Sequence, residues 1–170
     1  MKGIVFVFGD NVDTDVIAPG GYLHLGMDQL LIHTMEALDP DFHRTVKKGD
    51  IIVAGENFGS GSSREQAPLV LRDAGISFVA AKSFARIFFR NSFNVGLPLA
   101  LISDVSAVRN RQEVEYDLEN GYIKDLTGGG KVAIEVPKGP LMDILNSGGM
   151  INFVRQELEK IRMELSSDKT

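Results

Sequence analysis

The chain has 170 residues, a length that fits one folded domain with enough buried surface for a hydrophobic core. Its 18 basic and 23 acidic residues are mixed along the sequence, which gives a formal net charge of −5 and no basic patch for nucleic acid. No apolar run approaches the ~20 residues that span a bilayer. The apolar stretch Gly3–Phe8 is too short for a signal peptide, so we expect a cytoplasmic protein with no membrane partner.

Composition also restricts metal and disulfide chemistry. The chain contains no cysteine, which excludes disulfides and any cysteine-ligated cluster held by this chain alone. His24, His33 and His43 are scattered and lack carboxylates at ligand spacing, so we predict no metal site. Asp10–Asp15 has the alternating acids of a calcium loop, but the glycine and closing glutamate of an EF-hand are missing.

The first part of the chain predicts a buried strand, an irregular polar segment and a helix. Gly3–Phe8 is a continuous apolar run rich in β-formers, and Gly9 ends it. The stretch from Asp10 to Leu25 is irregular, and long irregular segments are often functional. The pattern of Asp28–Ala37 predicts a short helix that ends before Asp39-Pro40.

A glycine-rich loop, Gly55–Pro68, joins a predicted strand at Ile51–Ala54 to a predicted helix at Ala67–Ala74. Glycines let the backbone adopt positive φ, and a helix start presents unpaired N–H groups. Ser62–Arg64 add two hydroxyls and a guanidinium, which makes the loop a plausible seat for an anion. Arginine at the positive end of a helix makes better electrostatic sense if an anion is also bound there. The loop matches neither a P-loop nor a dinucleotide-binding fingerprint.

A purely structural role for the same loop is the alternative. Ser62 with Glu65, or Ser63 with Gln66, fits a capping box, in which two side chains satisfy the first N–H groups of a helix. If Ser63 were the cap, Pro68 would lie just past the tolerated first turn. We therefore expect the regular helix to begin later, or its first turn to be distorted.

The rest of the chain alternates strands and helices and then forms a hairpin. Two predicted strands are Ile76–Ala81 and Leu97–Ile102. Glu113–Leu118 and Tyr122–Ile123 are predicted to form a hairpin around an Asn120-Gly121 turn. A last strand, Lys131–Val136, is predicted after a turn at Thr127–Gly130. The predicted helices are Phe84–Asn91, Leu141–Asn146 and Met150 to about Leu165. In the first of them, Ser83 is the expected cap, and Phe84, Ile87 and Phe88 form a stripe that faces the core. The tail Ser166–Thr170 is expected to be frayed. This order predicts an α/β fold, one domain over residues 1–170 with a mixed central sheet flanked by helices.

Three motifs in combination resemble one known family. Gly9–Ile17, Phe58–Pro68 and Lys82–Ile87 together resemble the small subunits of 3-isopropylmalate dehydratase, which are the swivelling domain of the aconitase superfamily as a free-standing chain. The resemblance implies a swivelling-type β/β/α domain and a hydro-lyase of leucine biosynthesis that acts on a hydroxy-dicarboxylate. It also implies a large-subunit partner, in a heterodimer or heterotetramer, that carries a 4Fe–4S cluster, and the absence of cysteine here fits that division.

The resemblance also implies roles for individual residues. Ser62 matches the serine whose alkoxide takes the carbon-bound proton, and Arg64 matches the arginine that grips a substrate carboxylate. Ser63 matches a neighbouring hydroxyl near the substrate, and Asp15 matches an aspartate that supports the acid–base site. Gln66 stands where histidine is common, so we expect it to cap the helix.

Ser62 needs help to act as a base. A helix terminus contributes up to ~2 kcal/mol, which is about one and a half pKa units and far too little to ionise a serine at neutral pH. Arg64, oriented N–H donors and exclusion of water must supply the remainder. One small domain with an exposed loop excludes water poorly, so we expect the chain to be inactive until its partner closes over the loop.

The resemblance places substrate discrimination at Tyr22–Leu25. Isopropylmalate dehydratases tend to have small apolar residues after the Tyr22-Leu23 pair, whereas homoaconitases tend to have arginine there for an extra carboxylate. Here Leu25 favours an apolar substrate tail, and His24 fits either class or a solvated loop. Three functions stay open: an isopropylmalate dehydratase subunit, which the motifs favour; a homoaconitase or methylmalate-type subunit; and an independent module that binds phosphate or a nucleotide without an iron–sulfur partner.

Overall fold

The computed structural model describes residues 1–128 and 130–167, and its strands form one closed barrel. The strands are β1 (Lys2–Val7), β2 (Ile51–Ala54), β3 (Phe78–Ala81), β4 (Leu99–Ile102), β5 (Glu113–Asp117), β6 (Tyr122–Asp125) and β7 (Lys131–Glu135). Their order around the barrel is β1-β2-β3-β4-β7-β6-β5.

Helices pack on the sheet and share a core with it. The α-helices are α1 (Thr14–Ile17), α2 (Met27–Ile32), α3 (Phe42–Thr45), α4 (Gln66–Ala74), α5 (Arg86–Val95), α6 (Pro140–Asn146) and α7 (Met150–Ser167). Two short 3-10 helices cover Gly20–Leu25 and Val105–Ala107.

Strands β1 to β4 pair in parallel, so their carboxyl ends lie at one edge of the sheet. Val5 pairs with Ile51, and Ile52 pairs with Val79. Every residue of β2 and β3 is buried, because one face of these strands lines the barrel interior and the other packs under helices. The segments that follow β1, β2 and β3 therefore emerge side by side.

Alternate residues of one strand serve two separate cores. Ile51 and Val53 belong to the cluster inside the barrel, together with Tyr116 of β5. Ile52 and Ala54 belong to the cluster between the sheet and the helices. This alternation follows from the two-residue period of an extended strand, and it explains why the sequence shows an unbroken apolar run.

The antiparallel strands β5, β6 and β7 close the barrel. The predicted hairpin is confirmed, with Asp117 opposite Tyr122. β7 pairs with β4, and β5 pairs with β1, so the sheet has no open edge. The predicted α/β fold with a mixed sheet is confirmed, but its closure was not predicted, because pairing between two distant strands leaves no local sequence signal.

The predicted helix at Asp28–Ala37 is wrong in its second half. Helix α2 ends at Ile32, and a series of turns follows. Met35 has a positive φ of 60° and is fully buried, and its N–H donates to the Ile17 carbonyl at 3.4 Å. Burial of this side chain against α1 therefore overrides the local helical preference.

The start of the next predicted helix is also wrong. Helix α5 begins at Arg86, and Ser83 is not its cap. The Ser83 hydroxyl instead accepts a hydrogen bond from the Asn57 N–H at 2.8 Å. Within the predicted core stripe Phe88 is buried, whereas Ile87 is 44% exposed.

The C-terminal helix begins at Met150, directly after Gly148-Gly149 as predicted. It continues through Ser166 and Ser167, two residues of the tail that we predicted to fray. The other tail residues, 168–170, and residue 129 of the predicted turn lie outside the described residues.

Gly59 allows the glycine-rich loop to pack directly against α5. Its φ is 78°, and a Cβ added there would lie 2.1 Å from Cγ of Phe88, which is far inside contact distance. We expect Gly59→Ala to lower the free energy of unfolding by about 2 kcal/mol or more, because backbone strain and a core clash combine. Urea denaturation measures this change.

Gly9→Ala is the matched control for this prediction. No atom lies within 4 Å of a Cβ added at Gly9, and its φ is not in the left-handed region. The control should change the free energy of unfolding by no more than about 0.5 kcal/mol. Equal effects of the two substitutions would contradict the packing argument.

Candidate active site

The three sequence motifs come together at the carboxyl edge of the parallel strands. Gly9–Ile17 follows β1, Gly55–Pro68 follows β2, and Lys82–Ile87 follows β3. In an open α/β sheet, ligands bind outside the carboxyl ends of the strands, and the parallel half of this barrel has the same arrangement. The motifs therefore form one surface rather than three.

Backbone hydrogen bonds join the glycine-rich loop to the segment after β1. The Gly59 N–H donates to the Val12 carbonyl at 2.7 Å, and the Thr14 N–H donates to the Ser60 carbonyl at 2.8 Å. The Thr14 hydroxyl donates to the Ser62 carbonyl at 3.0 Å. Thr14 is buried, so its two donors fix the backbone of the loop up to Ser62.

The opposite side of the loop pairs with the segment after β3. The Phe58 N–H donates to the Ser83 carbonyl at 3.0 Å, and the Ala85 N–H donates to the Phe58 carbonyl at 2.9 Å. Residues 83–85 are therefore extended and available to the loop rather than helical, which is why α5 starts late. The loop is clamped from both sides, and its position is determined mainly by backbone contacts.

Two acidic residues after β1, Asp10 and Asp13, accept hydrogen bonds from backbone N–H groups. The Asp10 carboxylate accepts a hydrogen bond from the Glu56 N–H at 2.7 Å. The Asp13 carboxylate accepts from the N–H groups of Asp15 and Val16, at 2.8 and 2.9 Å, and so caps α1. Within residues 1–128 and 130–167, no three His, Cys, Asp or Glu side chains are grouped to bind a metal ion.

Neither predicted capping box forms. Helix α4 begins at Gln66, its N-cap residue is Glu65, and no side chain makes a cap hydrogen bond. The helix starts later than Ser63, as the position of Pro68 required, and the capping role expected of Gln66 is wrong. Ser62 therefore lies several residues before the helix, where the effect of the helix dipole on its hydroxyl is weaker than the sequence suggested.

Arg64 has a protein partner in this structure. Its Nη1 forms an ion pair with the Asp15 carboxylate and donates a second hydrogen bond to the Ala18 carbonyl at 3.2 Å. The Arg64 side chain is only 18% exposed, whereas that of Asp15 is 57% exposed. Asp15 thus neutralises and orients Arg64, and the remaining guanidinium N–H groups meet no acceptor among the described residues.

Ser62 and Ser63 lie on the surface beside this ion pair. Both residues are exposed, and the Ser62 carbonyl accepts a hydrogen bond from the Arg64 N–H at 2.9 Å. The Ser62 backbone is therefore held between Thr14 and Arg64, and the residue as a whole is exposed. The structure brings the Ser62 backbone, Arg64 and Asp15 together.

Gly20 places the predicted discrimination segment next to the ion pair. A Cβ added to Gly20 would lie 3.2 Å from Nη2 of Arg64 and 3.3 Å from Oδ1 of Asp15. Gly20 is the first residue of the 3-10 helix Gly20–Leu25. Absence of a side chain at this residue lets the 3-10 helix start close to the guanidinium.

The four residues of the discrimination segment point to different surroundings. The Tyr22 ring stacks on the His33 ring, with centroids 3.5 Å apart, and His33 Nδ1 lies 2.7 Å from Oε2 of Glu36. Leu23 packs on the core between the sheet and the helices. His24 and Leu25 are exposed. Tyr22 and Leu23 therefore anchor the segment, and the other two are available for contact.

Sequence reasoning missed several residues that build this site. Thr14, Ser83 and Gly20 each fix the loop or the segment beside it. The sequence does contain a signal, because polar or small residues follow each predicted parallel strand and such positions converge. The particular hydrogen bonds, however, depend on distances between segments that are far apart in the chain.

Ser62 and Ser63 are exposed, and neither they nor Arg64 line any of five cavities of the domain. One such cavity of about 560 Å³ is lined by Met1, Pro98, Leu118 and others, with no residue of the Ser62 loop among them. Among the described residues, no helix combines the length and apolar character needed to cross a bilayer. A substrate bound at Ser62 would stay in contact with water unless another surface covered it.

Comparisons with known proteins identify the family of this chain. The aconitase C-terminal domain family matches residues 28–103, which points to the aconitase class of proteins. The 3-isopropylmalate dehydratase small subunit 1 of Thermotoga maritima is 47% identical over 159 residues, covering 92% of this chain and 95% of the relative. The methanogen homoaconitase small subunit of Methanothermobacter thermautotrophicus is 48% identical over 160 residues, covering 94% and 93%.

A solved structure gives the same result. The 3-isopropylmalate dehydratase structure from Methanocaldococcus jannaschii aligns with a TM-score of 0.88 and 42% identity, covering 99% of this chain and 98% of that one. This chain therefore belongs to the family of 3-isopropylmalate dehydratase small subunits. The resemblance inferred from the three motifs is confirmed.

Proposed function

We propose that this chain is the small subunit of a 3-isopropylmalate dehydratase, which interconverts 2-isopropylmalate and 3-isopropylmalate by loss and return of water. The observation that carries the proposal is the exposed Ser62 beside the oriented Arg64–Asp15 pair, on a loop clamped by backbone hydrogen bonds. The family to which the chain belongs favours this function over that of an independent anion-binding module. The cytoplasmic location expected from the sequence stays a prediction.

Each side chain of the site has a distinct role in this proposal. Ser62 takes the proton from the carbon next to the hydroxyl-bearing carbon, and returns it in the reverse direction. Arg64 binds a substrate carboxylate through the guanidinium N–H groups that Asp15 and Ala18 leave available. Asp15 orients Arg64, and Ser63 contacts the substrate with its exposed hydroxyl.

Loss of the substrate hydroxyl is not chemistry that this chain provides. A 4Fe–4S cluster is held mainly by cysteine thiolates, and the chain has none. No group of His, Asp and Glu residues replaces them within the described part of the chain. We therefore assign the cluster to a large subunit, and assign to this chain only the proton acceptor and the carboxylate clamp.

We propose that the large subunit also completes the site physically. Ser62 is too weakly acidic to be ionised by Arg64 alone, since Asp15 already neutralises much of the arginine charge. Exclusion of water by a covering surface strengthens the electrostatic effect of the remaining donors. The barrel would act as one swivelling domain that presents its clamped loop to the partner.

The isolated chain should have no hydro-lyase activity, because its site is open to water. Adding the cluster-bearing large subunit of the same organism should give activity, measured by the absorbance of the unsaturated intermediate diacid. Activity of the purified chain with no partner would contradict the proposal that closure completes the site.

Arg64→Lys should lower kcat/KM of the assembled enzyme by about 10²-fold, because lysine cannot reproduce a planar two-point clamp held at a fixed position. Arg44→Lys is the control, since Arg44 is 78% exposed and pairs with Asp41 on the surface. The control should retain full kcat/KM. An unchanged kcat/KM for Arg64→Lys in a correctly assembled complex would remove the clamp from the mechanism.

The second candidate function is a homoaconitase small subunit, which the relative from Methanothermobacter thermautotrophicus brings into consideration. Substrates of that class carry a further carboxylate, and a cationic side chain near the substrate tail would favour them. Leu25 is an apolar residue at the end of the discrimination segment and is 49% exposed. Its character favours isopropylmalate, and His24 does not decide between the two.

Leu25→Arg should lower kcat/KM for isopropylmalate by about 10-fold or more and raise the relative rate with a tricarboxylate, because a charge replaces an apolar contact. Leu38→Arg is the matched control, since Leu38 is 50% exposed in a turn outside the site. Assays of the assembled variants against a panel of 2-hydroxy diacids and a 2-hydroxy tricarboxylate measure this. Identical substrate profiles for wild type and Leu25→Arg would exclude Leu25 from substrate recognition.

A further inference from the structure

The last helix exposes a regular stripe of aliphatic side chains, which we call the α7 stripe. Its members are Ile151, Val154, Leu158, Ile161 and Leu165, which are 75%, 45%, 61%, 51% and 61% exposed. Their alternating spacing of three and four residues is that of positions a and d in a heptad repeat. Such a stripe is the seam along which one helix packs against another.

A different face of α7 anchors the helix to the domain. Phe153 is half-buried, and α7 packs against α5 and α6. The Ser147 hydroxyl donates to Oε1 of Gln156 at 3.1 Å, which ties the helix to the end of α6. The helix is therefore supported by the domain, while the α7 stripe faces solvent.

Charged residues flank the α7 stripe with opposite signs on its two sides. Arg155 and Arg162 occupy position e, and Glu157 and Glu164 occupy position g. In a parallel pair of helices, position g of one helix faces position e of the following heptad on the other. Glu157 of one copy would therefore face Arg162 of the second copy, and the same contact would occur twice by symmetry.

An antiparallel pair would reverse this electrostatic match. Position e then faces position e, and position g faces position g, so that arginine meets arginine and glutamate meets glutamate. Like charges at these positions oppose pairing. The flanks of the α7 stripe are thus complementary to themselves in one orientation only.

We propose that α7 pairs in parallel with α7 of a second copy of this chain, as a short two-stranded coiled coil. The inference goes beyond the proposed function, because it involves no residue of the Ser62 loop. It implies that the assembled enzyme contains two copies of this chain. A partner of unrelated sequence would not be selected by a self-complementary charge pattern.

The mass of the full chain in solution tests the pairing. Sedimentation equilibrium at micromolar concentrations should give twice the 18.6 kDa of one copy. Leu158→Glu should give a monomer, because it places two carboxylates in the seam. Met163→Glu is the matched control, since Met163 is 69% exposed but lies on the opposite face, and it should stay dimeric.

Charge reversal distinguishes a second copy from any other partner. Arg162→Glu should weaken the dimer at least 10-fold in Kd, because glutamate then faces Glu157 of the other copy. Adding Glu157→Arg to the same chain should restore most of the affinity, although it removes the surface ion pair of Glu157 with Lys160. Failure of the double variant to recover would overturn self-pairing.

A cross-link reports the orientation. The chain has no cysteine, so Val154→Cys introduces a single thiol at position d. Oxidation should link parallel helices through this residue and should leave antiparallel helices unlinked. The proposal would be overturned if the wild-type chain were a monomer or a tetramer, or if the Leu158→Glu variant remained a dimer. It would also be overturned if loss of large-subunit binding were the only effect of Leu158→Glu.

Discussion

The site depends on the parallel pairing of β1, β2 and β3, because that pairing brings three distant segments to one edge of the sheet. The glycine-rich loop then lies between the other two segments and exchanges backbone hydrogen bonds with both. Gly59 is necessary at this point, since any side chain there would overlap Phe88. The loop is fixed by hydrogen bonds to the segments after β1 and β3 and not by the helix that follows it.

The proposed site combines a rigid backbone with exposure to solvent. Ser62 is exposed and has a fixed main chain, and Arg64 has its charge balanced and its guanidinium oriented by Asp15. Such a site is well organised but incomplete, because water surrounds it. In our proposal, one half of the active site lies on this chain and the other half lies on a large subunit.

The two proposals use opposite ends of the chain and different physical interactions. The catalytic surface is polar and is built from backbone hydrogen bonds, an ion pair and small residues. The α7 stripe is apolar and is flanked by charges, which is the composition of a helix–helix seam. Helix α7 packs on α5 and α6, and the α7 stripe contains no residue of the glycine-rich loop.

The sequence by itself determined the strands, the α/β class, the hairpin and the three motifs that identify the family. It could do so because apolar periodicity, Asn120-Gly121 and the Ser62–Arg64 run are local signals. Only the tertiary structure decided the early end of α2 at the buried Met35, the recruitment of Ser83 by the loop, and the closure of the barrel. It also decided that the carboxylate of Asp15 is the anionic partner of Arg64. These features result from contacts between residues far apart in the chain, and no local pattern encodes which distant group a side chain will meet.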